Sequence, residues 1–174
     1  MSLKDVLRVG GEFRRDLVNT ATADRKSSVM LPVKACRQWE RYSCTSAVLQ
    51  MVAHFLIGAK LTHREAMELL EEDGVGELED VLRVLKGSKI GFISRELSSH
   101  RSIPKAIDTG HIILGEDCTR YDGIAHAIVI CGYNRDGYWT VDPMLGIKTW
   151  RSKVSFRQNC NHLIAIKEKA APSC

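Results

Sequence analysis

The spacing of apolar residues changes about halfway along the chain. The first half carries three runs with helical spacing, which predict helices over 44–56, 62–72 and 77–86. In the first of these runs a single apolar stripe is expected to face the core, and it consists of Cys44, Val48, Met51 and Phe55.

Cap residues mark the ends of these helices. Ser43 is placed to cap the start of the first helix, and Gly58 is placed to end it in a left-handed turn. Thr62 and Glu65 have the spacing of a capping box, and Gly87 closes the third run.

The second half carries short runs rich in β-branched residues and bounded by Gly, Pro, Asn or Asp, which predict strands. These runs cover residues 90–94, 111–115, 125–133, 138–142, 147–150 and 162–167. One short helix is predicted to start at 102–104, with Gly110 past its end. The whole pattern predicts an α+β fold in which an N-terminal helical lobe packs on a C-terminal antiparallel β-sheet.

Length and composition indicate one folded domain. The chain has 174 residues, of which 44% are hydrophobic and 26% charged, enough to bury a core. We expect a peripheral, partly mobile segment over 1–30, the main domain over 31–168 and a tail over 169–174.

Charge and hydropathy argue against two classes of partner. The net charge of +4 is spread along the chain, so no nucleic-acid partner is predicted. The longest apolar runs fall short of the roughly 20 residues of a membrane helix, so no membrane span is predicted. The N-terminus is charged where a secretory signal would have its apolar core, and we expect a cytoplasmic protein or one secreted without a standard signal peptide.

The six cysteines show no disulfide framework, and most are predicted to be free thiols. Cys160, His162 and Cys174 lack a fourth ligand at a usual zinc spacing, so neither a metal nor a cofactor is expected. A redox or zinc-sensing role for these three residues is an alternative from another class of function.

Four residues form a candidate catalytic site. Cys44 opens the first helix, where free N–H groups and the positive helix end favour a thiolate. His126 on a predicted strand would activate the thiol, and Asp142 would orient the imidazole. Gln38, six residues before the cysteine, would donate its side-chain amide to an oxyanion together with the backbone N–H of Cys44.

Taken singly, these residues have simpler interpretations. A cysteine opening an apolar helix is often a small core residue, a histidine between alanines is often a satisfied core residue, and Asp-Pro is usual in turns. Their joint occurrence in the order Gln, Cys, His, Asp favours catalysis.

The register between the strands of His126 and Asp142 stays open at this point. A type I turn at 134–137 would set Asp142 opposite Ile130, four residues or roughly 13 Å from His126 along the strand. A looser loop over 132–136 would set Asp142 directly beside His126 instead.

At these positions the sequence resembles the C39-type and C39-like cysteine peptidases of the papain-like superfamily. The resemblance rests on Gln38 and Cys44 at the head of an apolar helix, the strand from His126 to Tyr133, and Asp142-Pro143 followed by Gly146. It covers about residues 31–166 and implies a papain-like fold. It also implies that Cys44 is the nucleophile, His126 the general base, Asp142 the orienting acid and Gln38 the oxyanion donor.

The resemblance implies a thiol hydrolase that cleaves peptide bonds in a peptide or protein substrate. Two alternatives stay within the fold: a deamidase or acyltransferase that acts on amide side chains, and an inactive domain that binds a peptide in the cleft. The chain departs from the family at 45–47, where Thr-Ser-Ala replaces the Gly that usually follows the cysteine.

Overall fold

The computed structural model describes residues 28–70, 76–88, 90–118 and 125–169. The helices are α1 (Cys44–Ile57), α2 (His63–Leu70), α3 (Leu78–Gly87), α4 (Ile103–Asp108) and α5 (Lys153–Asn159). The strands are β1 (Ser28–Met30), β2 (Phe92–Leu97), β3 (Ile112–Asp117), β4 (His126–Asn134), β5 (Gly137–Asp142), β6 (Ile147–Ser152) and β7 (Cys160–Glu168). The predicted α+β class is confirmed. The predicted peripheral segment up to residue 27 and the predicted tail from residue 170 lie outside the described residues.

Helix α1 is the central helix of the fold. Eleven of its 14 residues are buried, so the prediction of a single core-facing stripe was wrong. A helix that is apolar nearly all round is buried on most sides, and α1 packs against α2, α3 and the sheet. It begins at Cys44 and ends at Ile57, and the next residue, Gly58, forms the predicted left-handed cap with a φ of 69°.

Ser43 precedes α1 as predicted, but its hydroxyl does not cap the helix. The hydroxyl accepts from the backbone N–H of Glu40 and donates to the Glu40 carbonyl, which closes a tight loop before the cysteine. The capping box of α2 is as predicted, with the Thr62 N–H donating to the Glu65 carboxylate at 2.7 Å. These contacts fix where each helix begins.

The strands form one antiparallel sheet with the order β2-β7-β3-β4-β5-β6, and β1 pairs with the end of β4. One apolar core lies between the sheet and helices α1, α2 and α3. A second core, containing Ile103, Ile107 and Phe156 of helices α4 and α5, is built on Ile128 and Ile130 of β4. Helices α1, α2 and α3 and the sheet thus form the two layers predicted from the sequence.

Strand β1 and helix α5 were not predicted from the sequence. Strand β1 lies within the segment expected to be peripheral, and its three residues pair with β4 from Gly132 to Asn134. The sequence of helix α5 has no helical repeat of apolar residues, because only Phe156 of this helix packs into the core. Its start is fixed instead by the Ser152 hydroxyl, which accepts from the Ser155 N–H.

The register of β4 and β5 differs from both predicted alternatives. Tyr133 pairs with Tyr138, but a bulge at Cys131 shifts the pairing so that Val129 lies opposite Val141. Asp142 therefore falls opposite Ile128, between the two predicted positions. Without the extra residue Asp142 would oppose Val129 and point to the other face of the sheet. The bulge puts Asp142 on the face that carries His126.

Within the described ranges, every helix is too short or too polar to cross a membrane.

Candidate active site

The fold brings Cys44, His126 and Asp142 together from three different elements. Cys44 is the first residue of α1, His126 the first of β4, and Asp142 the last of β5. All three are buried, with 6%, 2% and 0% of their surfaces exposed. These three polar groups lie at the ends of packed elements and form hydrogen bonds with one another. Core packing alone does not require such an arrangement.

The imidazole of His126 is held by the carboxylate of Asp142. Nε2 of His126 lies 2.7 Å from Oδ1 of Asp142, and the same oxygen accepts from the Met144 N–H at 2.9 Å. Because Nε2 is directed at Asp142, the contact with the Cys44 sulfur falls to the other ring nitrogen, Nδ1. The imidazole therefore lies between an acid and a thiol.

The thiol and the imidazole shift each other's pKa in opposite directions. Burial works to raise the pKa of Cys44, but hydrogen bonds from His126 and the Ala127 N–H, with the charge of His126, bring it below its ordinary value. Burial works to lower the pKa of His126, but its bonds to Asp142 and Cys44 and their charges raise it to about 9. These shifts favour a thiolate–imidazolium pair near neutral pH.

Gln38 lies in the loop before α1, and its amide faces that loop. Nε2 donates to the carbonyls of Glu40 and Arg41, both at 2.8 Å. Its Oε1 is buried and has no hydrogen-bond partner among the described residues. The amide in this arrangement braces the loop that leads to Cys44.

The loop of Gln38 is attached to the turn that follows Asp142. The backbone N–H of Gln38 donates to the Pro143 carbonyl at 2.8 Å. A few residues on, Gly146 has a φ of 66°, and a Cβ there would come within 2.6 Å of the Cβ of Arg37. The two segments that carry Gln38 and Asp142 are therefore in direct contact.

The residues after the cysteine, where the chain departs from the C39 pattern, point into the protein. Thr45 and Ser46 are both fully buried. The Thr45 hydroxyl donates to the Gly76 carbonyl at 2.8 Å, and that of Ser46 donates to the Ser43 carbonyl at 2.8 Å. These hydrogen bonds hold the first turn of α1 to the residue before it and to the backbone at Gly76.

Sequence reasoning missed two charged residues behind the site. Arg151 of β6 forms an ion pair with Asp117 of β3, with Nη1 and Oδ2 2.5 Å apart, and its Nη2 lies 3.6 Å from Oδ2 of Asp142. Asp117 is fully buried, and Arg151 is partly buried. The signal in the sequence is weak: an arginine in a short edge strand and an aspartate at the end of an apolar run look like surface and turn residues.

Of the residues considered for a redox or zinc site, Cys160 and His162 are described, and Cys160 is not part of the metal-capable group that contains His162. Burial, followed by the negative charge of Asp117, raises the pKa of Cys160, which is fully buried. His162 instead lies between Glu79 and Glu116, at 3.0 and 3.1 Å. Cys174 lies outside the described residues.

Among the described residues, ligand atoms of Glu79, Glu116 and His162 lie close enough together to hold a metal ion. Both ring nitrogens of His162 already face a carboxylate. Burial works to lower the pKa of His162, but its hydrogen bond to Glu116 and the charges of both carboxylates raise it overall. The geometry is that of an imidazolium bridging two acids across α3, β3 and β7.

Solved structures that superpose on this chain include peptidase domains of the C39 type. The peptidase domain of Streptococcus ComA, a bi-functional ABC transporter involved in quorum sensing, superposes with a TM-score of 0.64 at 22% identity, over 79% of this chain and 99% of that one. A C39-like peptidase from Bacillus anthracis gives 0.59 at 16% identity, over 83% and 99%. The double-glycine-motif protease of an AMS/PCAT transporter, solved with a leader peptide, gives 0.57 at 16% identity, over 82% and 95%.

The predicted likeness to C39 peptidases is thus confirmed for the fold. No protein-family model matches the chain, and no curated protein sequence matches it.

Proposed function

We propose that this protein is a papain-like cysteine peptidase that cleaves peptide bonds through Cys44. The observation that carries the proposal is the chain of contacts from the Cys44 sulfur through His126 to Asp142, with the lowered thiol pKa and the raised imidazole pKa. A structural cysteine needs no such partner, and the other buried thiols have raised pKa values because burial is their main influence.

In the proposed reaction the Cys44 thiolate attacks the carbonyl carbon of the scissile amide. The imidazolium of His126 then donates its proton to the departing amine, and a thioester joins Cys44 to the acyl part of the substrate. Neutral His126 next takes a proton from water as the water attacks the thioester, which releases the acid and restores the thiolate. Asp142 keeps the imidazole in the tautomer and orientation that both steps require.

The negative charge on the substrate oxygen would be stabilised by the backbone N–H of Cys44 and by the amide of Gln38. Gln38 donates to the Glu40 and Arg41 carbonyls in the resting structure. To bind the oxyanion it has to turn one N–H away from these carbonyls. We propose that substrate binding to the loop of Gln38 releases this donor.

A peptide or protein is the proposed substrate. One structural relative holds a leader peptide in its solved complex. In this chain the loop before Cys44 presents Trp39, with 81% of its surface exposed, and Tyr42, with 44%. Exposed aromatic side chains next to a reactive group are suited to binding the apolar side chains of a peptide.

A deamidase or acyltransferase would use the same thioester, with an amide side chain as substrate. An inactive peptide-binding domain would have no use for a thiol of lowered pKa. The pH dependence of thiol reactivity therefore separates the binding domain from the two enzymes, and the product released separates the enzymes from each other.

The test is alkylation with iodoacetamide at pH 6, followed by peptide mass spectrometry, and a parallel assay on a peptide library. We expect Cys44 to be modified well before the other cysteines. The fast phase should be absent in Cys44→Ala and slowed in His126→Ala. Cys118→Ala, which removes an exposed thiol, is the matched control and should keep both the fast phase and peptide cleavage.

If wild-type Cys44 is no more reactive at pH 6 than Cys118, the protein is not a thiol enzyme of this kind. If Cys44 reacts fast but the library stays intact while ammonia is released from glutamine-containing peptides, the enzyme is a deamidase and the peptidase proposal fails.

A further inference from the structure

A cluster of charged residues lies behind the candidate triad and spans four neighbouring strands, β3 to β6. His126 of β4 pairs directly with Asp117 of β3, and on the other side of β4 comes β5 with Asp142. Arg151 belongs to β6, and its guanidinium reaches across to both carboxylates. The guanidinium of Arg151 thus links the carboxylates of β3 and β5, the two strands on either side of His126.

Because these charged groups are buried, their ion pairs decide whether the carboxylates stay ionised. Asp117 and Asp142 are fully buried, and the side chain of Arg151 is 13% exposed. A buried carboxylate without a compensating charge takes up a proton or destabilises the fold. In this group Arg151 compensates two carboxylates, and one of them holds the imidazole of His126.

We propose that Arg151 is a positioning residue of the active site, which keeps Asp142 ionised and in place behind His126, with Asp117 as the anchor of the guanidinium. The inference rests on the proposed function, in which Asp142 orients His126. It adds to the site two residues that touch neither the substrate nor the sulfur.

The field at His126 is the sum of the charges that face it. Among the described residues they include Cys44 from α1 and Asp142 from β5, which contact the imidazole, Asp117 of β3, which pairs with His126 across the strands, and Arg151 of β6, which contacts Asp142. Cys160 of β7, opposite Asp117, stays a neutral thiol because burial raises its pKa. Arg151 and Asp117 contribute opposite signs, so their removal should have opposite effects on the pair formed by Cys44 and His126.

The experiment measures the rate of Cys44 alkylation against pH. Arg151→Met removes the positive charge, which makes the thiolate harder to form, and the midpoint should move up by about 1 pH unit or more. Asp117→Asn removes a negative charge, and the midpoint should move down. Arg151→Lys keeps the charge and should restore most of the wild-type profile. Damage to the fold alone would not move the midpoint in opposite directions.

Arg83→Met is the matched control, since Arg83 also pairs with an aspartate, Asp80, but on the surface of α3. It should leave the midpoint unchanged. In peptide hydrolysis, Arg151→Met should lower kcat with little change in KM, because Arg151 does not touch the substrate.

The proposal is overturned if folded Arg151→Met and Asp117→Asn keep the wild-type midpoint, or if both move it in the same direction. If Arg151→Met does not fold, Asp117→Asn decides alone, and an unchanged midpoint contradicts the role. NMR titration of the His126 ring follows both variants without any need for activity, and in Arg151→Met the pKa of His126 should fall, since a protonated Asp142 no longer favours the imidazolium. A wild-type chain that lacks a fast thiol but shows these shifts would contradict the proposed function and leave the charge coupling in place.

Discussion

His126 and Asp142 are joined by a hydrogen bond of 2.7 Å between two strands whose register is shifted at a bulge. The bond and the nearby thiolate raise the pKa of His126 to about 9, against the downward effect of burial. In the proposed reaction the protonated imidazole delivers a proton to the leaving amine. Peptide hydrolysis should therefore rise through the lowered pKa of Cys44 and fall again around pH 9.

Asp142→Asn should move the basic limb of this profile towards pH 6.5, the ordinary pKa of histidine, because the carboxylate no longer favours the imidazolium. We also expect kcat to fall by about 10²- to 10⁴-fold, since the wrong tautomer of His126 is then available to the thiol. The measurement is kcat against pH.

Asp136→Asn is the control for this change, because Asp136 lies in the exposed turn between β4 and β5. It should keep the wild-type profile. A basic limb that stays near pH 9 in Asp142→Asn would show that Asp142 does not set the protonation of His126.

The sequence predicts the position of Cys44 well because the signals for it are local. The apolar run from Ala47 and the cap at Gly58 both lie within the sequence of one helix and its end. The pairing of His126 with Asp142 depends on the bulge at Cys131, for which the sequence has no mark, and both registers predicted without it were wrong. Both predicted registers put Asp142 on the face of His126, and this was right, but the extra residue decides how far along β4 Asp142 falls, which local pattern alone could not predict.

Longer-range features were beyond prediction for a related reason. Whether the amide of Gln38 faces the loop or the substrate depends on carbonyl groups that only the folded loop brings near. Arg151 reads as an ordinary residue of an edge strand, and its burial follows from the side chain crossing two strands to Asp117. The catalytic roles and the cellular compartment stay predictions.

The variant Gln38→Ala tests whether the Gln38 amide only holds the loop before Cys44 or also donates a hydrogen bond to the oxyanion. Alkylation of Cys44 by iodoacetamide forms no oxyanion, whereas peptide hydrolysis does. If Gln38 donates to the oxyanion, hydrolysis should fall by about 10²- to 10³-fold while alkylation at pH 6 stays within about twofold of wild type. Equal losses in the two assays would mean that the amide serves only to hold the loop through Glu40 and Arg41.

Gly146 offers a test of the contact between the turn after Asp142 and the loop of Gln38. Gly146 and Gly58 both have left-handed backbones, with φ of 66° and 69°. A Cβ added at Gly58 would meet no atom within 4 Å, whereas a Cβ at Gly146 would come within 2.6 Å of Arg37. Gly58→Ala should therefore report the backbone strain alone, about 1–2 kcal/mol of unfolding free energy.

Gly146→Ala should cost this strain and a further ~1–3 kcal/mol for the overlap with Arg37, measured by urea unfolding of both variants. Relief of the overlap moves the turn that carries Asp142, since the Gly146 N–H donates to the Asp142 carbonyl at 2.8 Å. Gly146→Ala should accordingly lose peptide hydrolysis at temperatures where it is still folded, while Gly58→Ala keeps it. Equal stability losses and equal activities in the two variants would mean that the loop of Gln38 yields freely, and that its contact with the turn does not hold Asp142 in place.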